Sequence, residues 1–413
     1  MERYTDLKIS SDNINNLNRY YYSNNESVGF QTMAQREEYQ KAFGRYLYRI
    51  IEEDYFNLPK IKVLEIGPRG VYFERGVHEE IQRLDQENGT DYGDRIEWSL
   101  FDISKVAINK ARREYISSLN DFFPTKFFVG DAVNKNLPKG YDVIIANELI
   151  DDLRQMVLVN RGGRLYEIVY KIAVGDFIND VGIALRQSYL RPIKEEDKKE
   201  YFEVVSKYLQ EDCNTTFFPD LDKFLANVNK ASNPGAKFII HDYMIVGGVE
   251  KDKYSIERVF GISDIKKVFE ANPEEGLIQI TADVNFLQLL DSLSKAGFAV
   301  KMIEEYDDFL ESSLGTKRIN KWKLDQVLQL TSKESIAEAE KLLRIEGDPA
   351  SIEAKKKLYE ALDVPYGVLG MNFYKSSLEK LNLPEETKEK IWNMYRSALV
   401  IRNPLLNITA VKY

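Results

Sequence analysis

Cysteine and histidine are nearly missing from this chain. Its 413 residues include one cysteine, Cys213, and two histidines, His78 and His241. A single cysteine excludes an intramolecular disulfide, and in its polar surroundings Cys213 reads as a free structural thiol. So few of these residues leave no cluster with zinc-ligand spacing. No G-x-S-x-G elbow marks a serine hydrolase, and no carboxylates are spaced as a metal site. Apolar runs of about eighteen residues or more are also absent, so no membrane span is expected. The start of the chain, Met1-Glu2-Arg3-Tyr4-Thr5-Asp6, lacks the apolar stretch of a secretory signal. The compartment expected from these absences is the cytoplasm, with no membrane partner.

Positive charge is in deficit. Lys and Arg number 57 against 66 Asp and Glu, for a net charge of −9. Such a surface is not built to hold a nucleic-acid backbone and more readily attracts a basic partner. Repeats and low-complexity segments are absent too. What the chain does have is length and a 44% share of hydrophobic residues. That suffices for one large domain with insertions or for two domains.

The organising stretch is Lys62-Val63-Leu64-Glu65-Ile66-Gly67-Pro68-Arg69-Gly70. An apolar strand ends in an acid, and a turn with two glycines leads to a helical pattern at Val77 to Leu84. Glycines let a ligand approach the backbone, and the carboxylate suits a ligand carrying positive charge or hydroxyls. Strand and helix signals then alternate. Strands are expected at Ile96 to Phe101, Lys126 to Val129 and Tyr141 to Ala146. A helix is expected from Ser104, a plausible N-cap, to Ser118. This alternation predicts a doubly wound, parallel α/β sheet, in which ligands bind at the carboxyl ends of the strands.

Polar residues stand at those ends: Glu65, Asp102, Asp131, and Asn147 with Glu148. One Asp after a strand is ordinarily a cap or turn former; several in succession beside a glycine turn point to a shared site. Asp102, with Ile103 next to it, is the candidate for the ribose hydroxyls. Asp131, with Ala132, is the candidate for an adenine amino group. Glu65, Gly67, Pro68 and Gly70 fall near the amino-acid part of the ligand. A dinucleotide competes, but its G-x-G-x-x-G turn runs straight into a helix, whereas this turn carries Pro68 and fewer glycines. The expected cofactor is S-adenosylmethionine.

Residues 1–58 form an N-terminal segment in which Tyr39, Phe43, Leu47 and Ile50 recur at helical spacing over about 35–53. The preceding Gly29-Phe30-Gln31-Thr32 is a candidate lid, with Thr32 near the cofactor. The first part of the core spans 59–190 and includes a hairpin turning at Asn160-Arg161-Gly162-Gly163. A helical insertion is expected over 191–232, with a charged helix at 192–212 and a short helix at 220–229. The second part of the core, 233–311, holds a fifth strand at Ala236 to His241, a helix from Asn285 to Lys295 and a strand from Gly297 to Glu304. A second helical insertion covers 312–364. Residues 365–413 supply the last strand, at Tyr366 to Tyr374, and a closing helix at Pro384 to Leu399.

Several of these segments together resemble the MidA-type methyltransferases, the group of the mitochondrial complex I assembly methyltransferase. The family's E-I-G-P-G-R-G is approached by Glu65-Ile66-Gly67-Pro68-Arg69-Gly70. Its N-E-x-x-D-A-L-P is similar to Asn147-Glu148-Leu149-Ile150-Asp151-Asp152-Leu153. Its G-D-F-x-T resembles Gly29 to Thr32, and its D-I-T-A-H-V-[ND]-F resembles Gln279-Ile280-Thr281-Ala282-Asp283-Val284-Asn285-Phe286. An F-L-x-x-x-G is echoed by Phe309-Leu310 and Gly315. These matches keep the family's order from about residue 20 to 375. One loop glycine is missing, Asp152 stands for Ala, Arg154 for Pro, and Asp283 for His.

The resemblance implies a class I, Rossmann-like methyltransferase fold with helical insertions, S-adenosylmethionine as cofactor and protein arginine methylation as activity. Asn147, Glu148 and Asp151 would then form the catalytic, substrate-side motif. Glu148 and Asp151 would orient a guanidinium through paired hydrogen bonds, on a protein substrate that bears basic residues. Helix capping is the competing role for Asp151. Two other functions remain open: a cofactor-binding assembly scaffold with little turnover, and a methyltransferase for small molecules.

Overall fold

The structure is a computed structural model and describes residues 4–9, 32–68, 70–118, 122–177, 180–193, 213–245, 249–250, 261–263, 279–315, 379, 383–389 and 405–413. In chain order it opens with β1 (Tyr4–Ile9), a 3₁₀ turn (Met33–Gln35) and α1 (Glu37–Asp54). β2 (Ile61–Ile66), α2 (Tyr72–Asn88), β3 (Ile96–Asp102), α3 (Lys105–Ser117), β4 (Thr125–Val129) and β5 (Tyr141–Asn147) follow. Next come β6 (Met156–Arg161), β7 (Arg164–Phe177), β8 (Asp180–Pro192), β9 (Cys213–Phe217) and α4 (Leu221–Ala231). β10 (Ser232–Ile245) leads to three short strands, β11 (Val249–Glu250), β12 (Gly261–Ser263) and β13 (Gln279–Thr281). β14 (Val284–Asn285), α5 (Phe286–Lys295), β15 (Phe298–Glu305), α6 (Tyr306–Leu314) and β16 (Leu405–Lys412) complete it.

The central sheet runs β15-β16-β10-β5-β2-β3-β4. β4, β3, β2, β5 and β10 are mutually parallel, while β16 is antiparallel to both neighbours. Successive side chains of a strand point to opposite faces, so each strand feeds two cores. Leu64, Ile66, Ile144, Ala146, Phe238 and Ile240 bury against α4 and α5. Val63, Trp98, Leu100, Val143, Ile145 and Ile239 bury against α1, α2 and α6. β5 is buried along its whole length, as expected of a central parallel strand covered on both faces.

A second, antiparallel sheet runs β1-β7-β6-β9-β11, with β8 on β7. The β6–β7 hairpin closes through Gly162 and Gly163, at φ of 55° and 69°. Left-handed values at both central positions are what a type I′ turn requires, and glycine reaches them at little steric cost.

Two points differ from expectation. Within 191–232 the described residues form a strand and a core helix: β9 extends the second sheet, and α4 buries Leu221, Phe224, Leu225 and Val228 against the central one. Its amphipathic stripe packs the helix into the core. Residues 405–412, for which no strand was expected, form β16, which lies in the central sheet between β10 and β15. The stretch 366–374, the charged segment 194–212 and the insertion 316–364 lie outside the described residues.

α1 and α2 cross closely through two helical glycines. A Cβ on Gly44 would stand 2.9 Å from Glu80 Cβ, and one on Gly76 would stand 2.7 Å from Gln40 Cβ. This crossing holds the start of α1 against the carboxyl ends of the strands. Gly44→Leu should lower stability by about 1–3 kcal/mol, despite leucine's better helix propensity. Urea unfolding followed by circular dichroism checks it; an unchanged midpoint would show that the crossing tolerates bulk.

Candidate active site

The turn after β2 is built by its neighbours. Gly67 N–H donates to Phe101 O of β3 at 2.9 Å, which carries the β2–β3 ladder one step past the strand. Gly67 and Gly70 have φ of 74° and 135°, values that side-chain-bearing residues rarely adopt. Pro68 between them is buried. α2 begins two residues after Gly70, so the turn delivers the chain to a helix N-terminus.

Glu65, the penultimate residue of β2, is only 3% exposed. It accepts a hydrogen bond from Trp98 Nε1 at 3.2 Å. Burial pushes its carboxyl up from 4.5 to about 8; the Trp98 bond works against this, and the charge of Asp102 adds to it. A second acid lies close by. Glu74, in the first turn of α2, is fully buried and accepts from Thr125 Oγ1. Burial raises its carboxyl well above the ordinary range, again despite that hydrogen bond. Two carboxyls are thus kept from ionising freely by lack of water, an arrangement that a cationic ligand would relieve.

The tip of β5 forms the facing wall. Asn147 Oδ1 accepts from the Tyr39 hydroxyl at 2.9 Å. Glu148 has φ of 43°, which makes it the one non-glycine residue with positive φ among those described. Its N–H donates to His241 O at 2.7 Å, and its Oε1 accepts from Met33 N at 2.6 Å. That last bond ties the 3₁₀ turn Met33–Gln35 to the β5 tip. Thr32 caps this turn: its N–H donates to Gln35 Oε1 at 3.1 Å. Asp242, on β10 one residue past the partner of Asn147, accepts from Ile150 N at 2.8 Å and Asp151 N at 3.3 Å. Asp151 O accepts from Ala282 N at 3.2 Å, which joins two of the segments that resemble one family.

These walls enclose a crevice of about 330 Å³, its open mouth included. Thr32, Glu65, Gly67, Gly70 and Asn147 line it, and so do Ala34, Gln35, Tyr72 and Phe73. Five residues singled out from the sequence therefore meet there. Pro68, Asp102, Ile103, Asp131, Ala132, Glu148 and Asp151 stand outside this lining. Asp102 and Asp131 do occupy adjacent strand ends, where Gly130 N donates to Asp102 O at 2.9 Å. Their carboxylates also serve locally. Asp102 Oδ1 accepts from Ser104 N at 2.7 Å, while Asp131 accepts from Val133 N and from both nitrogens of Asn134. Ala132 packs on the core. Among the described residues no group of three His, Cys, Asp or Glu could hold a metal ion, and no helix is long and apolar enough to cross a membrane.

Sequence reasoning passed over Gln35, Tyr39, Tyr72, Phe73, Trp98 and the pair His241–Asp242 as site residues. Tyr39 reads as core from its helical spacing, and it is core, with its buried hydroxyl bonded to Asn147. The strand-end argument that singled out Glu65 and Asn147 applies equally to His241 and Asp242.

Because Glu65 holds its proton more tightly folded than unfolded, its contribution to stability is complete below about pH 4.5 and lost as the pH rises towards 8. Glu65→Gln keeps an acceptor for Trp98 and cannot ionise. The variant should match the wild type near pH 4 and exceed it above about pH 8, by on the order of 2–4 kcal/mol. Thermal melts at the two pH values test this; a variant less stable at both would show that the carboxylate is not a burden on the fold.

No family model and no curated protein matches the chain. Among solved structures it is similar to a COG1565 superfamily member from Burkholderia thailandensis crystallised with S-adenosyl-homocysteine, at 13% identity and a TM-score of 0.53, over 98% of this chain and 88% of that one. A native crystal structure of a COG1565 superfamily protein from the same organism aligns at 14% identity and a TM-score of 0.51, over 98% and 87%. At such identities the likeness is one of fold. With the strand order and the single antiparallel strand described above, the fold is that of the class I methyltransferases, a Rossmann-like sheet wound on both faces.

Proposed function

We propose that this chain is an S-adenosylmethionine-dependent methyltransferase whose acceptor is an arginine side chain of a basic protein. One observation carries the cofactor assignment: a buried, proton-holding Glu65 and two left-handed glycines share a crevice at the tip of β2, an interior strand of the sheet. The fit is chemical. A carboxyl starved of water gains most from a cationic ligand, and the glycines leave backbone open to close approach. The solved structure crystallised with S-adenosyl-homocysteine has the same fold, which supports the reading.

Glu65, Gly67 and Gly70 would hold the amino-acid end of the cofactor. Asp102 and Ile103, then Asp131 and Ala132, would hold the ribose and the base at the next two strand ends. When bound, S-adenosylmethionine supplies a methyl group on a sulfonium. The protein's task is then to position an acceptor nitrogen and keep it nucleophilic. Glu148 is the residue assigned to that task, with Asp151 behind it on the turn. Its strained backbone aims the carboxylate at Met33 N, a donor that a guanidinium N–H can replace. The arginine assignment rests on these two carboxylates and on the resemblance of residues 147–153 to the family motif.

Glu148→Gln keeps the shape and the hydrogen bond to Met33 but loses the charge. It should cut methyl transfer by roughly a hundredfold or more and leave calorimetric affinity for S-adenosylmethionine unchanged. The assay is transfer of labelled methyl to lysate protein, with the modified residue found by mass spectrometry. Unchanged turnover would remove Glu148 from the mechanism. Cofactor binding with no labelled product would favour a cofactor-binding scaffold, and label confined to low-mass material would favour a small-molecule acceptor.

A further inference from the structure

Asn147 carries a donor without a hydrogen-bond partner among the described residues. The side chain lines the crevice beside Glu65 and Gly67, and the residue is 8% exposed. Its Oδ1 is taken by the Tyr39 hydroxyl, while its Nδ2 is buried with no hydrogen-bond partner among the described residues. Native proteins rarely leave a buried donor unmet, because its lost hydration is not recovered.

Tyr39 sets the orientation of the amide. Tyr39 is completely buried, and burial holds its hydroxyl far from ionising, so at physiological pH it is an O–H group. It donates at 2.9 Å to the one acceptor oxygen of Asn147. Its ring packs on His241 at 4.4 Å between centroids, on Phe73 at 5.7 Å and on Phe309 at 5.8 Å. With Oδ1 held on the Tyr39 side, Nδ2 is left as the amide's open valence at the crevice wall.

Two complementary groups therefore share one crevice. Glu65 offers a carboxyl, and Asn147 offers an N–H donor. We propose that Asn147 reads the carboxylate of the cofactor's α-amino acid head, with Tyr39 as the positioning residue that orients its amide, while Glu65 faces the ammonium. Together they select a zwitterionic amino-acid end over an amine alone. This moves Asn147 from the acceptor side of the reaction to the cofactor side, and it rests on the S-adenosylmethionine reading above.

The test is calorimetry with two ligands, S-adenosylhomocysteine and its decarboxylated analogue, which keeps the amine. Wild type should prefer the first by roughly ten- to a hundredfold, the size of one charge-assisted hydrogen bond. Asn147→Asp preserves shape and the acceptor for Tyr39 but sets a carboxylate against a carboxylate. It should erase the preference by weakening S-adenosylhomocysteine alone. Tyr39→Phe frees the amide and should narrow the preference without changing affinity for the analogue. Glu65→Gln should weaken both ligands alike. Circular dichroism spectra establish that each variant is folded; should Asn147→Asp not fold, Tyr39→Phe carries the test alone. Equal wild-type affinity for the two ligands, or equal losses of both in Asn147→Asp, would overturn the proposal. A wild type that binds neither ligand would instead remove the cofactor reading, and this proposal with it.

Discussion

Backbone pairing between β2 and its two parallel neighbours is the constraint on which the site depends. Val63 to Ile66 lie opposite residues of both β3 and β5, so the three strands end at nearly one level. A parallel ladder cannot slip by one residue without sending every side chain to the wrong face. Here a slip would swap Leu64 and Ile66 with Val63 and Glu65, placing an acid in one core and losing its bond to Trp98. Apolar packing on both faces therefore aligns the polar strand ends, although those ends contribute little to the packing.

The site is costly to the fold. Glu65, Glu74 and Asp242 are all buried, and lack of water raises each carboxyl above its ordinary range. Asp242 is partly compensated, since it accepts backbone hydrogen bonds from Ile150, Asp151 and Tyr243 and so shapes the loop after β5. His241, at its side, is fully buried with neither ring nitrogen hydrogen-bonded among the described residues, and burial lowers its imidazole to about 3. It stays neutral across the physiological range and acts as a flat packing surface for Tyr39. A basic role for that imidazole is therefore out of reach in this state. Buried ionisable groups without full compensation gather at functional sites far more than elsewhere, and here they stand near the end of β2, in the first turn of α2 and on β10.

Much of the core was legible from residue pattern. β2 forms where the apolar stretch before the glycine turn implies a strand, β3 and β5 extend one residue beyond their expected ends, and Ser104 does cap its helix, its Oγ accepting from Ala107 N at 3.0 Å. These succeed because a strand buried on both faces has little alternative, and because an N-cap is a local event. Less legible was the extent of α2, which starts at Tyr72 rather than Val77. Its first turn is set by the glycine turn and by contact with α1 rather than by periodicity. Segments singled out by family resemblance turn out to include structural parts. Asn285 caps α5 and bonds to Thr215 and Thr216, and Gly315 ends α6 in a left-handed cap at φ 71°.

The amino-acid order by itself determined the alternation of strand and helix, the glycine turn after Glu65, and the polar character of each strand end, because these follow from local periodicity and backbone sterics. Tertiary structure decided which of those ends face one crevice and which are spent on local turns, as with Asp131. It also decided that Tyr39, a residue of the apolar stripe of α1, reaches across 108 positions of sequence to orient Asn147. The physical reason is that a hydrogen bond between distant residues depends on how two helices cross over a sheet, and the periodicity of either segment carries no record of that crossing.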